Sequence, residues 1–425
     1  MTRRIMAIGF IFACTAVAWM VLGATIFDRS RTAESGLKDR VVSTWGAPQV
    51  QMPPSAVYSR TLSELVEKVV DGKTITERLT RTVEHRLPLD RSDVRADLDL
   101  EHRQKGLLWY STYRVAFRGE YTFRNTSDQA ETVRIEMAFP AEQAIYDEFT
   151  VSIQGAPAEP VYSKNRTEVP VEIPAGQSIT YVVGYRSQGV DSWAYRFGSD
   201  VEQVREFTLQ MKTNFEAIDF PDNTMSPTSK ERTGEGWLLT WRYGSLLSGF
   251  HIGMILPRKL QPGPLAGQIS MFAPVSLFFF FFLIYIITTL RDIDLHPMNY
   301  FFLAAAFFAF HLLLAYLVDQ ISIHLAFVLC SLVSIFLVVS YLRLVVGLRF
   351  AAVEAGLSQL IYLVLFSYAF FFQGFTGLAI TIGSIITLFV VMQMTGRIRW
   401  EEKFAMHTAA AKVGRPAGPH PSRGE

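Results

Sequence analysis

The chain has 425 residues, of which 50% are hydrophobic and only 19% are charged. This balance argues against an ordinary soluble protein. Forty basic and 39 acidic residues leave a net charge of +1, so the overall charge does not indicate nucleic acid as a partner. The two cysteines, Cys14 and Cys330, both lie in apolar stretches. Disulfides and cysteine-bound metals are therefore excluded from the rest of the chain.

Six apolar segments are long enough to cross a bilayer, since about 20 helical residues span its hydrocarbon core. One lies near the start of the chain, and five follow one another closely near its end. The predicted spans are residues 5–27, 269–290, 300–318, 321–342, 356–372 and 377–394. This pattern predicts a membrane protein with one long polar segment between its first two spans.

The first segment also has features of a cleaved signal peptide, because the basic residues Arg3 and Arg4 precede its apolar run. Cleavage therefore stays open as an alternative. The run is long for a signal peptide, and Phe27, Asp28 and Arg29 at its end offer no small residues for a cleavage site. We favour an uncleaved membrane anchor.

Charge predicts the orientation, because short loops rich in Lys and Arg stay in the cytoplasm. With the N terminus inside, six spans place every short basic segment on one side. These basic residues are Arg3, Arg4, Arg291, Arg343, Arg349, Arg397, Arg399 and Lys403. The opposite loops, at Asp319-Gln320 and Gln373-Gly374, carry no Lys or Arg. We predict that both termini lie in the cytoplasm and that residues 28–268 lie on the far side, which in a bacterium is the periplasm.

The long polar segment alternates apolar and polar residues, as half-buried strands do. Strands are predicted at 115–123, 133–139, 149–154, 169–173, 179–185, 193–197, 207–211 and 237–243. The turn residues from Asn125 to Asp128 predict that the first two strands form a hairpin, and Asp71-Gly72 predicts another. The spacing favours an antiparallel sandwich. Residues 87–106 are too charged for an assignment.

Four parts are therefore predicted. They are an N-terminal transmembrane anchor (1–27), a mainly-β, sandwich-like periplasmic domain (28–268), a five-helix transmembrane bundle (269–396) and a cytoplasmic tail that we expect to be disordered (397–425). The predicted fold class is a membrane α-helical bundle of six transmembrane helices with a mainly-β domain inserted between helices 1 and 2. The lipid bilayer is the partner that this organisation requires.

One loop and the start of the next span carry a specific motif, formed by Leu295, His296, Pro297, Met298, Asn299 and Tyr300. Weaker motifs are Arg103-Gln104-Lys105-Gly106-Leu107 and Trp45-Gly46-Ala47-Pro48-Gln49. Together these segments resemble the CreD-type inner membrane proteins, also described as cell-envelope integrity proteins. The resemblance implies a polytopic inner membrane protein linked to envelope stress and to a two-component regulatory system. It implies no known reaction and no catalytic residues.

Polar residues within spans are costly and often functional, and the candidates are His296, His311, Asp319 and His324. His311 is about 12 Å along the helix from Asp319, so the two cannot pair within it, whereas His324 could reach Asp319 across the turn. A proton relay is one interpretation. We favour a structural one, in which His311 bonds a neighbouring helix. Pro297 is expected to start a helix, and His296 to bond a neighbouring backbone or a lipid head group rather than hold a metal.

The sequence contains no metalloprotease, nucleophile-elbow, P-loop or dinucleotide motif, and we predict no enzyme, cofactor or metal. Glu216, Asp219 and Asp222 could serve acid–base work or bind a cation, but a solvated turn is favoured. Glu354 is expected to pair with Arg343 or Arg349. Five aromatic residues could line a glycan or lipid surface, but a core position is favoured; they are Trp193, Tyr195, Phe197, Trp237 and Trp241.

The resemblance implies a protein that supports cell-envelope integrity or the stress response, and with the observations above we expect it to act by periplasmic binding or signal relay rather than by catalysis. A periplasmic protein or a cell-wall ligand is the expected partner. The alternative is a secondary transporter or permease that uses the C-terminal helices. The predicted bundle holds no charge pair at mid-depth, which favours the first hypothesis over the second.

Overall fold

The structure is a computed structural model, and it describes residues 2–70, 73–105, 108–142, 144–197, 204–246, 250–372 and 374–396. The chain separates into two compact units. The helical unit comprises Met1–Glu34 with Leu260–Glu425, and the β unit comprises Ser35–Lys259. The predicted tail at 397–425, the turn residues Asp71 and Gly72, and Gln373 lie outside the described residues.

In the described part of the chain, six helices are long and apolar enough to cross a membrane. They are α1 (Thr2–Trp45), α2 (Pro262–Leu290), α3 (Pro297–Leu317), α4 (Ile323–Val345), α5 (Phe350–Phe371) and α6 (Thr376–Thr395). Each predicted span therefore corresponds to an apolar helix. The rest of the described chain is mainly β, as the predicted fold class requires.

α1 extends well past Phe27, where the predicted span ends. Ala33, Glu34 and Leu37 favour helix, but they are too mixed in polarity for a hydropathy pattern to include them. The helix stops at Gly46, which has a φ of +90° and donates its N–H to the Val42 carbonyl, 2.9 Å away. Glycine adopts this left-handed conformation without strain and commonly ends helices.

α5 is not a regular α-helix. Two of its segments, Phe350–Ala355 and Leu360–Leu365, are π-helical, and π segments are rare and often occur at functional sites. The carbonyl of Tyr362, in the second segment, accepts a hydrogen bond from the Ser276 hydroxyl of α2. α5 begins at Phe350, earlier than the predicted Gly356. The prediction began too late because the charged Glu354, in the first turns of the helix, interrupts the apolar run.

Contacts within the helical unit give the direction of each helix. Phe12 contacts Phe278, and Cβ atoms built at Gly23 and Gly267 would meet Met271 and Phe27 respectively. α1 and α2 are therefore antiparallel. Along α3 the order of contacts is reversed, so α1 and α3 are parallel. The α1–α3 pairs are Arg4 with Asp294, Trp19 with His311, and Arg29 with Asp319.

The described part of the β unit contains sixteen strands: β1 (Gln49–Gln51), β2 (Ser55–Val70), β3 (Lys73–Arg86), β4 (Leu89–Lys105), β5 (Leu108–Arg124), β6 (Glu131–Ala138), β7 (Tyr146–Ile153), β8 (Ala156–Pro157), β9 (Val161–Ser163), β10 (Arg166–Ile173), β11 (Ser178–Val190), β12 (Ser192–Tyr195), β13 (Val204–Thr213), β14 (Ser229–Thr233), β15 (Gly236–Leu246) and β16 (Ile252–Ile255). They form three sheets, ordered β1-β12-β16, β3-β2-β6-β10-β9 and β14-β15-β13-β4-β5-β11-β7-β8. Every predicted strand is present. β2 and β3 pair as the Asp71-Gly72 signal predicts.

One hydrophobic core joins the three sheets. It includes Val94 and Tyr121 of the eight-stranded sheet, Ile135 of the five-stranded sheet and Trp193 of the three-stranded sheet. The alternation of buried and exposed residues along the strands is the reason that these faces meet in one core. The prediction of an antiparallel sandwich is only partly right. Two strand pairs are parallel, β1 with β12 and β4 with β13.

The predicted hairpin between 115–123 and 133–139 is wrong. β5 lies in the eight-stranded sheet, whereas β6 lies in the five-stranded sheet, so the chain crosses between the two layers at this point. Asn125 fixes the crossing, because its fully buried side-chain amide donates hydrogen bonds to the carbonyls of Gln129 and Ile173 at 2.9 and 2.8 Å. Alternation predicts which face of a strand is buried but does not predict its partner strand.

β4 shows why the charged stretch at 87–106 was hard to assign. Val94, Ala96 and Leu98 are fully buried, while Asp97 and Asp99 between them are exposed. The strand therefore follows the usual alternation, but with charged residues at most outward positions. These charged side chains hide the two-residue period of β4 from a pattern based on hydropathy.

Gly236, at the start of β15, lies against the backbone of Thr213. A Cβ atom at this position would be 2.1 Å from the Thr213 carbonyl oxygen, so we expect Gly236→Ala to lower the free energy of unfolding by about 1–3 kcal/mol through overpacking. Gly244→Ala on the same strand is the control, because its Cβ would meet nothing within 4 Å. Thermal unfolding of the purified full-length protein, followed by tryptophan fluorescence, measures both. Equal stability of the two variants would contradict the packing described.

Candidate functional site

The four predicted polar candidates lie at separate places in the helical unit. His296 precedes α3 and caps it, since its ring Nδ1 accepts a hydrogen bond from the Met298 N–H at 3.2 Å. Pro297 occupies the first turn, where no hydrogen-bond donor is needed. His296 is exposed. α3 begins at Pro297, as predicted.

His311 is fully buried in the middle of α3. Its Nδ1 lies 2.9 Å from the Phe307 carbonyl oxygen of the same helix, so it does not bond a neighbouring helix as we expected. The other ring nitrogen, Nε2, is buried and has no hydrogen-bond partner among the described residues. The ring packs edge-to-face with Trp19 of α1, at a centroid distance of 5.5 Å. His311 therefore packs α3 against α1.

Asp319 follows α3 and forms an ion pair with Arg29 of α1 at 2.8 Å. Arg29 also donates to the Ala315 carbonyl at 2.5 Å and lies over the Tyr316 ring. The ring of His324 contacts that of Phe371 at 5.2 Å instead. In the described chain no hydrogen bond or ion pair joins His324 to Asp319, so the geometry does not assemble the relay that the sequence left open.

A second group of polar residues, the polar junction, surrounds the Leu295–Tyr300 motif at the other end of α3. It consists of Arg4, Arg291, Asp294, Asn299, Tyr341 and Glu354. Arg4 of α1 pairs with Asp294 at 3.0 Å, and Tyr341 of α4 donates to Asn299 at 2.7 Å. The junction thus connects α1, α3, α4 and α5 around one short loop.

The motif is explained by this junction. Leu295 and Tyr300 are fully buried, His296 caps α3, and Asn299 accepts the hydrogen bond from Tyr341. The motif residues therefore have packing, capping and hydrogen-bonding roles in the same turn.

Glu354 belongs to the polar junction but has a different partner from those predicted. Its carboxylate pairs with Arg291 at 2.5 Å, whereas we expected Arg343 or Arg349. The side chain of Glu354 is only 12% exposed. The π-helical start of α5 and the loop after α2 bring the two groups together, and neither could be predicted from span lengths.

Hydrogen bonds between side chains join α3, α4 and α5 deeper in the helical unit. The fully buried Gln359 donates to Ser334 at 2.7 Å, and Ser334 donates to the Ala306 carbonyl at 2.7 Å. The Gln359 Oε1 atom is buried without a partner among the described residues.

In the β unit the structure joins the two weaker sequence motifs. The guanidinium of Arg103 lies 3.3 Å from the centroid of the Trp45 ring, and it also pairs with Glu101 at 2.6 Å. Lys105 donates to the Arg40 carbonyl near the end of α1 at 3.2 Å. Cation–π contacts of this kind are stabilising. The motifs thus fix the end of α1 against β4.

An open polar groove of about 470 Å³ lies at the end of the parallel β4–β13 pair. Its charged and polar lining comes from Asp97, Asp99, Lys212, Asn214, Thr233 and Glu235. Lys212 and Asp97 face each other in register. The hydroxyl of Thr233 is buried without a partner among the described residues. We call this feature the β groove. It presents both signs of charge to a ligand.

The remaining candidates are structural. Glu216 pairs with Arg232, and the Asp219 backbone bonds Ile255, as in a solvated turn. Trp193 and Trp241 are fully buried in the core, and burial raises the pKa of the Tyr195 phenol far above its ordinary value. Among the described residues, no group of three or more His, Cys, Asp or Glu side chains could hold a metal ion.

The Arg291–Glu354 pair gives a test of the polar junction. Arg291→Gln leaves a largely buried carboxylate without its partner, so we expect it to lower the free energy of unfolding by about 1–2 kcal/mol, since Arg291 is half exposed. Arg349→Gln, which removes an exposed arginine, should have little effect. Adding Glu354→Gln to Arg291→Gln should recover part of the loss. If Arg349→Gln lowered the free energy of unfolding more than Arg291→Gln, the result would favour the partner predicted from sequence.

Solved structures that match this chain have low TM-scores and low sequence identity. A Legionella pneumophila protein described as nutrient-binding has a TM-score of 0.31 and 10% identity over 46% of this chain and 74% of its own. An M1 zinc metallopeptidase from Deinococcus radiodurans has a TM-score of 0.27 and 9% identity. This chain covers 42% of the metallopeptidase, which in turn covers 40% of this chain. Comparison with curated proteins finds no match.

The family comparison is specific to the later part of the chain. Residues 269–401 match the family described as inner membrane protein CreD. This segment contains the Leu295–Tyr300 motif, α3 and α4 with their flanking helices, and most of the polar junction. The resemblance predicted from the motif is therefore confirmed, since this segment is similar to the family of inner membrane protein CreD.

Proposed function

We propose that the protein supports cell-envelope integrity from the inner membrane, with a β unit that binds in the periplasm and a helical unit that serves as its membrane platform. One observation carries this proposal. Each of the four polar candidates is engaged in a contact that caps, packs or anchors a helix, namely His296, His311, Asp319 and His324. A helical unit held in this way suits a platform better than a conduit.

The proposed orientation has six spans and both termini in the cytoplasm. The parallel packing of α1 and α3 supports it, because Arg4 and Arg291 then belong to the same end of the helical unit. That end also holds Arg343 and Arg349, as expected for a cytoplasmic face. Ser30 lies beside Gly263, so the chain leaves and re-enters the helical unit at neighbouring points.

Reporter fusions test this orientation. A reporter fused after Glu235 should be active only when it requires the periplasm, and one fused after Glu402 only when it requires the cytoplasm. Alkaline phosphatase and a fluorescent protein that matures only in the cytoplasm are suitable reporters. The opposite result at either position would overturn the six-span orientation.

The β groove is the binding surface that we propose for the periplasmic partner, either a protein or a cell-wall fragment. It is open and polar, and its carboxylates at Asp97, Asp99 and Glu235 are accessible. A groove with both signs of charge suits a polar ligand, for which charged groups give orientation and specificity. We further propose that occupancy of this site is relayed to a two-component system.

Complementation of a deletion strain tests the groove. The strain would be challenged with detergents and envelope-targeting antibiotics, and full-length variants would be expressed at matched levels. We expect Asp99→Asn with Glu235→Gln to lose protection, whereas Glu159→Gln with Glu172→Gln, which alters two exposed carboxylates elsewhere, should retain it. Full protection by the groove variant would contradict the proposal.

A secondary transporter is the second candidate, and two observations favour it. The Nε2 atom of His311 and the Oε1 atom of Gln359 are buried without partners among the described residues, and such groups within a membrane often mark a transport path. In that case His311→Ala would lose protection in the same assay while the groove variant retained it. The assay therefore separates the two functions.

A further inference from the structure

An apolar groove of about 390 Å³ runs between the start of α1 and the end of α2. Its lining includes Ile5, Ile8, Gly9, Phe12, Phe278 and Phe282. Phe278 and Phe282 are 51% and 38% exposed, so the groove opens to the outside of the helical unit. In a bilayer that opening would face lipid, and an extended hydrocarbon chain suits its shape and chemistry.

The end of this groove is polar. Tyr285 lines it, and its hydroxyl is buried without a hydrogen-bond partner among the described residues. Arg4, which precedes the lining residue Ile5, has two further buried donors without a partner there, Nε and Nη2. Ile5 and Tyr285 line the same groove, so Arg4, the neighbour of Ile5 in the chain, is near its polar end.

These three buried donors, two on Arg4 and one on Tyr285, have no acceptor among the described residues. A buried donor without a partner is costly, and a guanidinium with two adjacent N–H groups matches the two oxygens of a phosphate. Arg4 Nη1 is already paired with Asp294, but that carboxylate is 92% exposed and is strongly solvated. The pairing with Asp294 therefore leaves Nε and Nη2 of Arg4 available.

We propose that this groove binds an anionic phospholipid, with one acyl chain against Gly9 and the phenylalanines and the phosphate on Arg4 and Tyr285. Basic pockets between helices near the cytoplasmic surface bind such headgroups. The proposal requires only that the helical unit lies in a bilayer. It therefore stands or falls independently of what the β groove binds.

Native mass spectrometry of the full-length protein in detergent tests the site, with phosphatidylglycerol and phosphatidylcholine of identical acyl chains as probes. We expect phosphatidylglycerol to bind selectively. Arg4→Gln should weaken its binding about tenfold, as for the loss of a charge-assisted hydrogen bond. Arg3→Gln is the matched control, since Arg3 is exposed and carries the same charge. Asp294→Asn should strengthen binding by removing the competing carboxylate.

A second variant tests the apolar part. A Cβ at Gly9 would meet nothing within 4 Å, so Gly9→Leu should fold and fill the groove, and we expect it to abolish selective binding. Gly383→Leu, at another open and exposed helical glycine, should not. Equal losses in Arg3→Gln and Arg4→Gln would show general surface attraction and overturn the proposal. Equal binding of the two lipids, or an equal effect of glycerol 3-phosphate alone, would also overturn it.

Discussion

The packing of Trp19 against His311 is the contact on which the helical unit depends. It joins α1 to α3, two helices that are far apart in the sequence, at a point where both side chains are fully buried. Ion pairs at Arg4 and Arg29 secure the same two helices on either side of it. Since a bilayer offers no water to polar groups, the orientation of α1 is determined by which of its polar side chains find partners on α3.

This arrangement connects the motif, the groove and the proposed function. Parallel packing brings Arg4 to the Leu295–Tyr300 motif, and the same placement leaves two of its donors at the end of the α1–α2 groove. The β unit is inserted in the sequence of the helical unit, between Glu34 and Leu260. A helix fixed at three points along its length supports the proposed platform role of the helical unit better than that of a mobile gate.

Much of the fold was predictable because membrane spans have a characteristic apolar length and strands have a two-residue period. Apolar length predicts all six helices, and alternation predicts the strands from Val115 to Tyr243. Strand partners and helix partners were not predictable, since they depend on contacts that are distant in sequence. Asn125 directs the chain from one sheet to another, and Glu354 pairs with Arg291 because of irregular backbone. The α1–α2 groove was also missed, since Gly9 and Phe278 are unremarkable until the two helices pack.

Distances between spin labels test the central claim, the parallel packing of α1 along α3. Met6, Met298 and Tyr316 are 62%, 51% and 62% exposed, so cysteines can replace them for labelling once Cys14 and Cys330 are replaced. Electron paramagnetic resonance on the full-length protein in lipid would compare the Met6–Met298 and Met6–Tyr316 pairs. The account predicts that the first distance is shorter by on the order of 20 Å, because α3 rises about 27 Å between the two labelled positions. A shorter Met6–Tyr316 distance would contradict it.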